Sequence, residues 1–249
     1  MKAKYIKIAA IIMIFLGLVS CSEDDKVTTN ETIEVPDVYF KIYGATSITS
    51  DGTYITINTN GMPDHKSVYY PTSSELYEDF SGTTFEGYDF VKNPNTIASF
   101  NYTFKIPLSP TVATNHAATP LGAIGVSLNG VPLFNQYAGP NQPLTDEFQS
   151  FDKYWGHPTG NGTFHYHIEP LYLTTVTATK SALLGFLLDG FPVYGPEENG
   201  IDVTGLDAYH GHSHATEDYP DGIYHYHITN TDPYINGNGY YGTPGTVTQ

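Results

Sequence analysis

Apolar and polar residues alternate with a period of two in several short stretches of the chain. Residues 38–43 (VYFKIY), 53–59 (TYITINT), 99–106 (SFNYTFKI) and 171–178 (LYLTTVTA) are rich in β-branched and aromatic residues and are bounded by turn formers. Successive side chains of a strand point to opposite faces, so this pattern predicts strands with one face inward. A helical period is scarce. Residues 72–80 (TSSELYEDF) are the best candidate, with a Thr or Ser start suited to capping a turn or two. Residues 135–162 and 195–222 carry Gly, Pro, Asn and Asp with no period, which predicts long loops. The expected fold is all-β, an antiparallel sandwich or barrel with long loops and little helix.

The first segment breaks the pattern. Lys2, Lys4 and Lys7 precede an apolar run over residues 8–19. About 12 apolar residues are too few to cross a bilayer as a helix but suit a signal-peptide core. The run ends in Leu18-Val19-Ser20-Cys21, which resembles a bacterial lipobox with Cys21 as the lipidated residue. Ser22-Glu23-Asp24-Asp25 and a Thr, Asn and Glu-rich stretch then read as a solvated tether. The expected organisation is a lipoprotein signal peptide over 1–20, a tether over 21–36 and a single β domain over 37–249. The acidic run after the cysteine resembles a surface-export signal of Gram-negative lipoproteins. The expected location is therefore the outer membrane, through lipid at Cys21, with surface display.

An internal repeat organises the β domain. GVSLNGVPLF (125–134) matches GFLLDGFPVY (185–194), DKYWGH (152–157) matches DAYHGH (207–212), and GTFHYHI (162–168) matches GIYHYHI (222–228). The three blocks keep their order, so the domain reads as a duplicated unit, with copies at about 121–170 and 181–230. The Asn129-Gly130 and Asp189-Gly190 pairs favour tight hairpins, and Pro132 and Pro192 suit strand starts.

The repeat also carries the candidate chemistry. His165 and His167 share one strand face, as do His225 and His227, because they are two residues apart. Two imidazoles on one face can chelate a metal. His157 and His212, each a short loop before its His-x-His run, can complete a three-histidine set. Asp152 and Asp207 are the expected partners of the imidazoles' outer nitrogens. Two arrangements are compatible with this spacing: two equivalent sites, or one site drawing on both copies. His210 and His214 have no counterpart in the first copy, where Trp155 and Thr159 stand; they suggest a second, looser metal contact or a polar loop, of which the loop is favoured. His65 and His116 are isolated and read as structural.

Composition narrows the partners. There is no arginine, and the formal net charge is −16. Arginine forks are the usual readers of phosphate, so nucleic acid is excluded as a partner and cations are favoured. Cys21 is the only cysteine, which leaves no internal disulfide and no thiolate ligand within the domain. Imidazole ligands without thiolate point to zinc or copper.

Tyr224-His225-Tyr226-His227 gives the chain a resemblance to the YHYH-domain proteins. GMPDH (61–65), LGAIGVSLNGVPLFN (121–135), GHPTGNGTFHYH (156–167), LLGFLLDGFPVYGP (183–196), LDAYHGH (206–212) and DPYINGNGYYG (232–242) follow the family order. The resemblance covers most of the chain from about residue 37. It implies an extracytoplasmic protein and no particular reaction. Family members often carry cysteines near the Gly-His segments, where this chain has Tyr154 and Tyr209. Taken together, these features suggest an extracytoplasmic lipoprotein with a histidine-rich zinc- or copper-binding domain. The alternatives are a surface module for glycan or protein, suggested by the 21 tyrosines, and a metal-dependent hydrolase.

Overall fold

A computed structural model of the chain describes residues 34–237 and 239–249. The expected leader, Cys21 and most of the tether lie outside the described residues. In chain order the strands are β1 (Ala45–Ser50), β2 (Tyr54–Thr59), β3 (Tyr102–Pro107), β4 (Ala123–Ser127), β5 (Pro132–Phe134), β6 (Tyr137–Ala138), β7 (Gln142–Pro143) and β8 (Gly156–Pro158). They continue as β9 (Phe164–Tyr166), β10 (Leu183–Leu187), β11 (Pro192–Tyr194), β12 (Glu197–Glu198), β13 (Ile201–Asp202), β14 (Gly211–His214), β15 (Ile223–His227) and β16 (Thr246–Thr248). Strands account for 31% and helical residues for 10%, so the fold is all-β with little helix.

One sheet has the order β1-β2-β3-β16 and is antiparallel throughout. Its alternation is the one read from sequence. Ile55, Ile57 and Thr59 of β2 are buried opposite Ile106, Phe104 and Tyr102 of β3, while Tyr54, Thr56 and Asn58 face outward. The larger sheet has the order β14-β15-β11-β10-β4-β5-β9-β8. All five residues of β10 are buried, the continuous apolar reading of a strand covered on both faces. Ile55, Ile57, Phe104 and Ile106 share one core cluster with Val126, Leu133, Phe186 and Val193. Two open sheets around one core make a sandwich, which resolves the choice against a barrel.

The larger sheet is the duplication made visible. Its order reads the same from either end once the copies are exchanged. At its centre β4 and β10 run antiparallel, with Val126 opposite its own repeat counterpart Phe186. A local twofold axis therefore passes between these residues. Within each copy one neighbouring pair is parallel, β5 with β9 and β11 with β15, which corrects the purely antiparallel expectation. Parallel neighbours need a long crossover. The segments read as long loops, 135–162 and 195–222, are those crossovers, and they carry the short hairpins β6–β7 and β12–β13.

Three predicted elements are corrected. Residues 38–43 start in a 3-10 turn, Asp37–Lys41, and bury Tyr39 within it and Ile42 just after it; that spacing is three, not two. Residues 171–178 are helical, with a single π turn over Leu173–Thr177. Pro170 starts the turn by accepting from Leu173 N, and the Thr175 and Thr177 hydroxyls donate back to Leu171 O and Leu173 O. This back-bonding lets threonine occupy a helical turn. Residues 72–80 form turns instead of a helix, because Glu78 N donates sideways to Ser67 O and Leu76 O accepts from Ser67 N.

Candidate metal centres

Each copy builds one cluster from the same parts. In the first, β8 and β9 pair with His157 opposite His165, and His167 follows one turn of the pleat further on. In the second, β14 and β15 pair with His212 opposite His225, and His227 shares that face. The Asp-x-Tyr-x-Gly-His loops that deliver His157 and His212 are closed identically. Asp152 O accepts from Trp155 N, and Asp207 O from His210 N, both at 3.0 Å. Trp155 and His210 both take left-handed backbone, with φ of 64° and 70°.

The structure brings together all six histidines predicted as ligands, in two groups of three, and adds a carboxylate to each. His157, His165 and His167 meet Glu147; His212, His225 and His227 meet Glu198. In each group the four donor atoms lie within 4.8 Å of one another. The arrangement of one site drawing on both copies is thereby excluded. The clusters sit at opposite ends of the eight-stranded sheet. Five strand spacings separate β9 from β15, roughly 24 Å along the sheet.

The proton positions follow from the outer nitrogens. His165 Nδ1 faces Thr163 O at 3.1 Å, and His167 Nδ1 faces Asn135 O at 2.5 Å. A carbonyl only accepts, so both Nδ1 atoms carry the proton and both Nε2 atoms are bare. Ser150 Oγ donates to Glu147 O at 2.7 Å and so accepts from His157 Nδ1 at 2.6 Å, which bares His157 Nε2 as well. Yet His165 Nε2 lies 2.9 Å from His167 Nε2 and 3.1 Å from His157 Nε2. Glu147 Oε2 stands 3.3 Å and 3.5 Å from the outer two. Lone pairs converge on lone pairs.

The second cluster repeats the pattern. His225 Nδ1 and His227 Nδ1 donate to Ile223 O at 3.0 Å and Gly195 O at 2.7 Å. His225 Nε2 is buried and has no hydrogen-bond partner among the described residues. His227 Nε2 lies 3.0 Å from His212 Nε2 and 3.3 Å from Glu198 Oε1. His214, for which the sequence favours a polar loop over a looser metal contact, stands at the edge of this cluster. Its Nδ1 donates to Ala215 O at 2.8 Å, and its bare Nε2 lies 2.7 Å from Glu198 Oε1 and 3.1 Å from His212 Nε2.

Such convergence fits a cation. Two ligands at about 2.0–2.1 Å around a tetrahedral zinc stand about 3.3 Å apart, inside the spread of spacings seen here. Protonation favours the same conclusion. Burial and the neighbouring His157 and His167 push His165 well below its usual range, and burial takes His225 down to about 4. Burial opposes ionisation of Glu147, but the imidazoles of His157 and His167 beside it hold it far below the usual carboxylate range. Burial likewise lowers His157 and His227, so near pH 7 these four imidazoles are neutral and Glu147 and Glu198 charged, the forms a metal requires.

Asp152 and Asp207 are not partners of the imidazoles. Their Oδ1 atoms accept from the loop's own amides, Tyr154 N and Gly156 N in one copy, Tyr209 N and Gly211 N in the other. An aspartate two residues before a turn captures these amides more readily than a distant ring. Backbone carbonyls and Ser150 take the place predicted for them. His210 bonds Thr229 Oγ1 away from the cluster, His65 bonds Tyr166 Oη, and His116 bonds Tyr240 O. Sequence reasoning missed Glu147 and Glu198 because the repeat does not relate them. At the offset of sixty that relates the His-x-His runs, Glu198 corresponds to Ala138.

A family model described as "YHYH protein" matches residues 103–205 and 198–239. None of the curated proteins matches the chain, and none of the solved structures does.

Proposed function

From a chain that belongs to the YHYH protein family, and whose matched span holds both histidine clusters, we propose a protein that binds two divalent transition-metal ions, one in each repeat. The observation that carries the proposal is the pair of bare Nε2 atoms 2.9 Å apart in His165 and His167, with Glu147 beside them. A hydrogen bond needs one proton between two acceptors, and here each proton is held on the far side of its ring. A bound cation removes the repulsion. Mixed imidazole and carboxylate ligands without thiolate suit zinc or copper(II). In this reading the ion supplies a localised positive charge. His157, His165, His167 and Glu147 hold one ion, and His212, His225, His227 and Glu198 the other.

The proposal includes the setting. The lipobox at Cys21 and the acidic tether support an extracytoplasmic protein anchored by lipid in the outer membrane of a Gram-negative cell. Metal then reaches the domain from outside the cytoplasm. The test is thermal unfolding of metal-stripped, tag-free protein with zinc or copper(II) added back. Metal at about 100 times its dissociation constant stabilises by about 2.7 kcal/mol per site, and a chelator reverses the gain. Unfolding indifferent to both metals and to chelator would leave the surface-binding reading ahead.

A further inference from the structure

We infer that the two centres are functionally unequal: the first is open to an anionic donor group of a small molecule, and the second is closed by His214. This inference rests on the metal-binding reading above. Its ground is one substitution within the duplication. His212 corresponds to His157, so His214 corresponds to Thr159.

The two copies share their pairing at that position and differ in the side chain. β14 runs four residues and still pairs His214 with Ile223, so its side chain stays on the face of His212. β8 ends a residue earlier, at Pro158. Thr159 keeps the same register, its N donating to Thr163 O at 2.9 Å, but it carries no imidazole, and its Oγ1 accepts from Thr163 N at 3.2 Å and donates to Asn161 Oδ1. Each cluster therefore holds four converging donors, and the second has a fifth, His214 Nε2, at its edge against Glu198 and His212. Four protein donors fill a tetrahedral shell, so an ion there takes an exogenous ligand by expanding to five-coordinate, and a fifth protein donor at hand occupies that position.

The surroundings match this difference. All four donors of the first cluster line a cleft of about 550 Å³, within the ordinary range for small-molecule sites. Leu121, Phe134 and Tyr137 supply an apolar wall, Lys92 is the single lysine in the lining, and Asp146 is its one carboxylate besides the donor Glu147. An anionic group on a partly apolar body suits this cleft, with the metal and Lys92 attracting the charge. The cavity of about 480 Å³ beside the second cluster is lined by His214 itself and by Glu217 and Asp218, and its lone cation Lys41 already pairs with Asp218. An anion is repelled there.

The test uses full-length protein loaded with cobalt(II), whose visible spectrum reports coordination number, and azide as the anionic probe. We expect two cobalt ions, one of which responds to azide. Thr159→His should abolish the response with both ions retained, and His214→Ala should make the second ion respond too. Azide acting on both ions of the unmodified protein, or on the centre that survives in His165→Ala/His167→Ala, would overturn the inference and leave the metal reading intact. Failure to bind cobalt at all would overturn both.

Discussion

Outer nitrogens decide what the histidines can do. Carbonyls of Thr163, Asn135, Ile223 and Gly195 each fix a proton on Nδ1, so four rings present bare Nε2 atoms to a common point. Nitrogen-15 spectra of metal-free protein should show His165, His167, His225 and His227 as Nδ1-protonated tautomers at pH 7. Signals from Nε2-protonated rings would contradict the geometry on which metal binding rests. On the opposite face of the strands the intervening tyrosines are held by the hairpin turns. Tyr226 Oη donates to Asp189 at 2.6 Å, while Asn129 donates to Tyr166 Oη at 3.2 Å. Burial raises Asp189 from 3.8 to about 6, against the hydrogen bonds from Tyr226, Gly242 N and Phe191 N. A raised acid binds its proton more tightly when folded, so stability from this group is present below about pH 4 and is lost as pH rises through 6. The loss amounts to about 3 kcal/mol. Asp189→Asn cannot titrate, so its destabilisation relative to the parent should shrink by about that amount between pH 4 and pH 7 in urea unfolding. A pH-independent difference would show that Asp189 ionises freely.

At the scale of elements, the hairpin turns show how the duplication keeps its shape. Gly130 N donates to Ser127 O, Ser127 N to Val131 O, and the same two bonds recur at Gly190 and Leu187. These are three-residue loops with glycine in left-handed backbone, at φ 81° and 86°. A Cβ on residue 190 would lie 2.6 Å from Pro107 O, on the neighbouring sheet. Gly190→Ala should therefore cost about 1–3 kcal/mol in denaturant unfolding; a neutral result would mean that the sheets do not approach here. Block order, the turn dipeptides and the facing of both His-x-His runs were all legible in the sequence, because each depends on residues a few positions apart. So were β2 and β3, whose buried faces alternate cleanly. The misread elements share a cause. Tyr39 with Ile42, and the threonines after Pro170, are apolar or β-branched residues whose backbones turn, and period alone does not separate them from strands. Glu147 and Glu198 were illegible for a different reason: they stand at different places within crossovers of equal length, and only the folded chain juxtaposes them with imidazole.

For the whole molecule, the twofold axis between β4 and β10 places one cluster at each end of a single sheet. The centres share no side chain, and the strands between them are buried on both faces. Sites this far apart, without shared ligands, act independently. Loss of one should leave the other's affinity unchanged within about 0.5 kcal/mol, read by metal titration of single-cluster variants. On the proposed reading the duplication supplies two metal positions on one scaffold, and the exchange of Thr159 for His214 would give them different shells. The most direct measurement is native mass spectrometry of the tag-free chain after exposure to zinc, beside its His165→Ala/His167→Ala and His225→Ala/His227→Ala variants. Two zinc ions on the parent chain and one on each variant is the result expected here. No bound zinc, or the same count on all three proteins, would contradict the claim that the twin histidine runs are metal ligands.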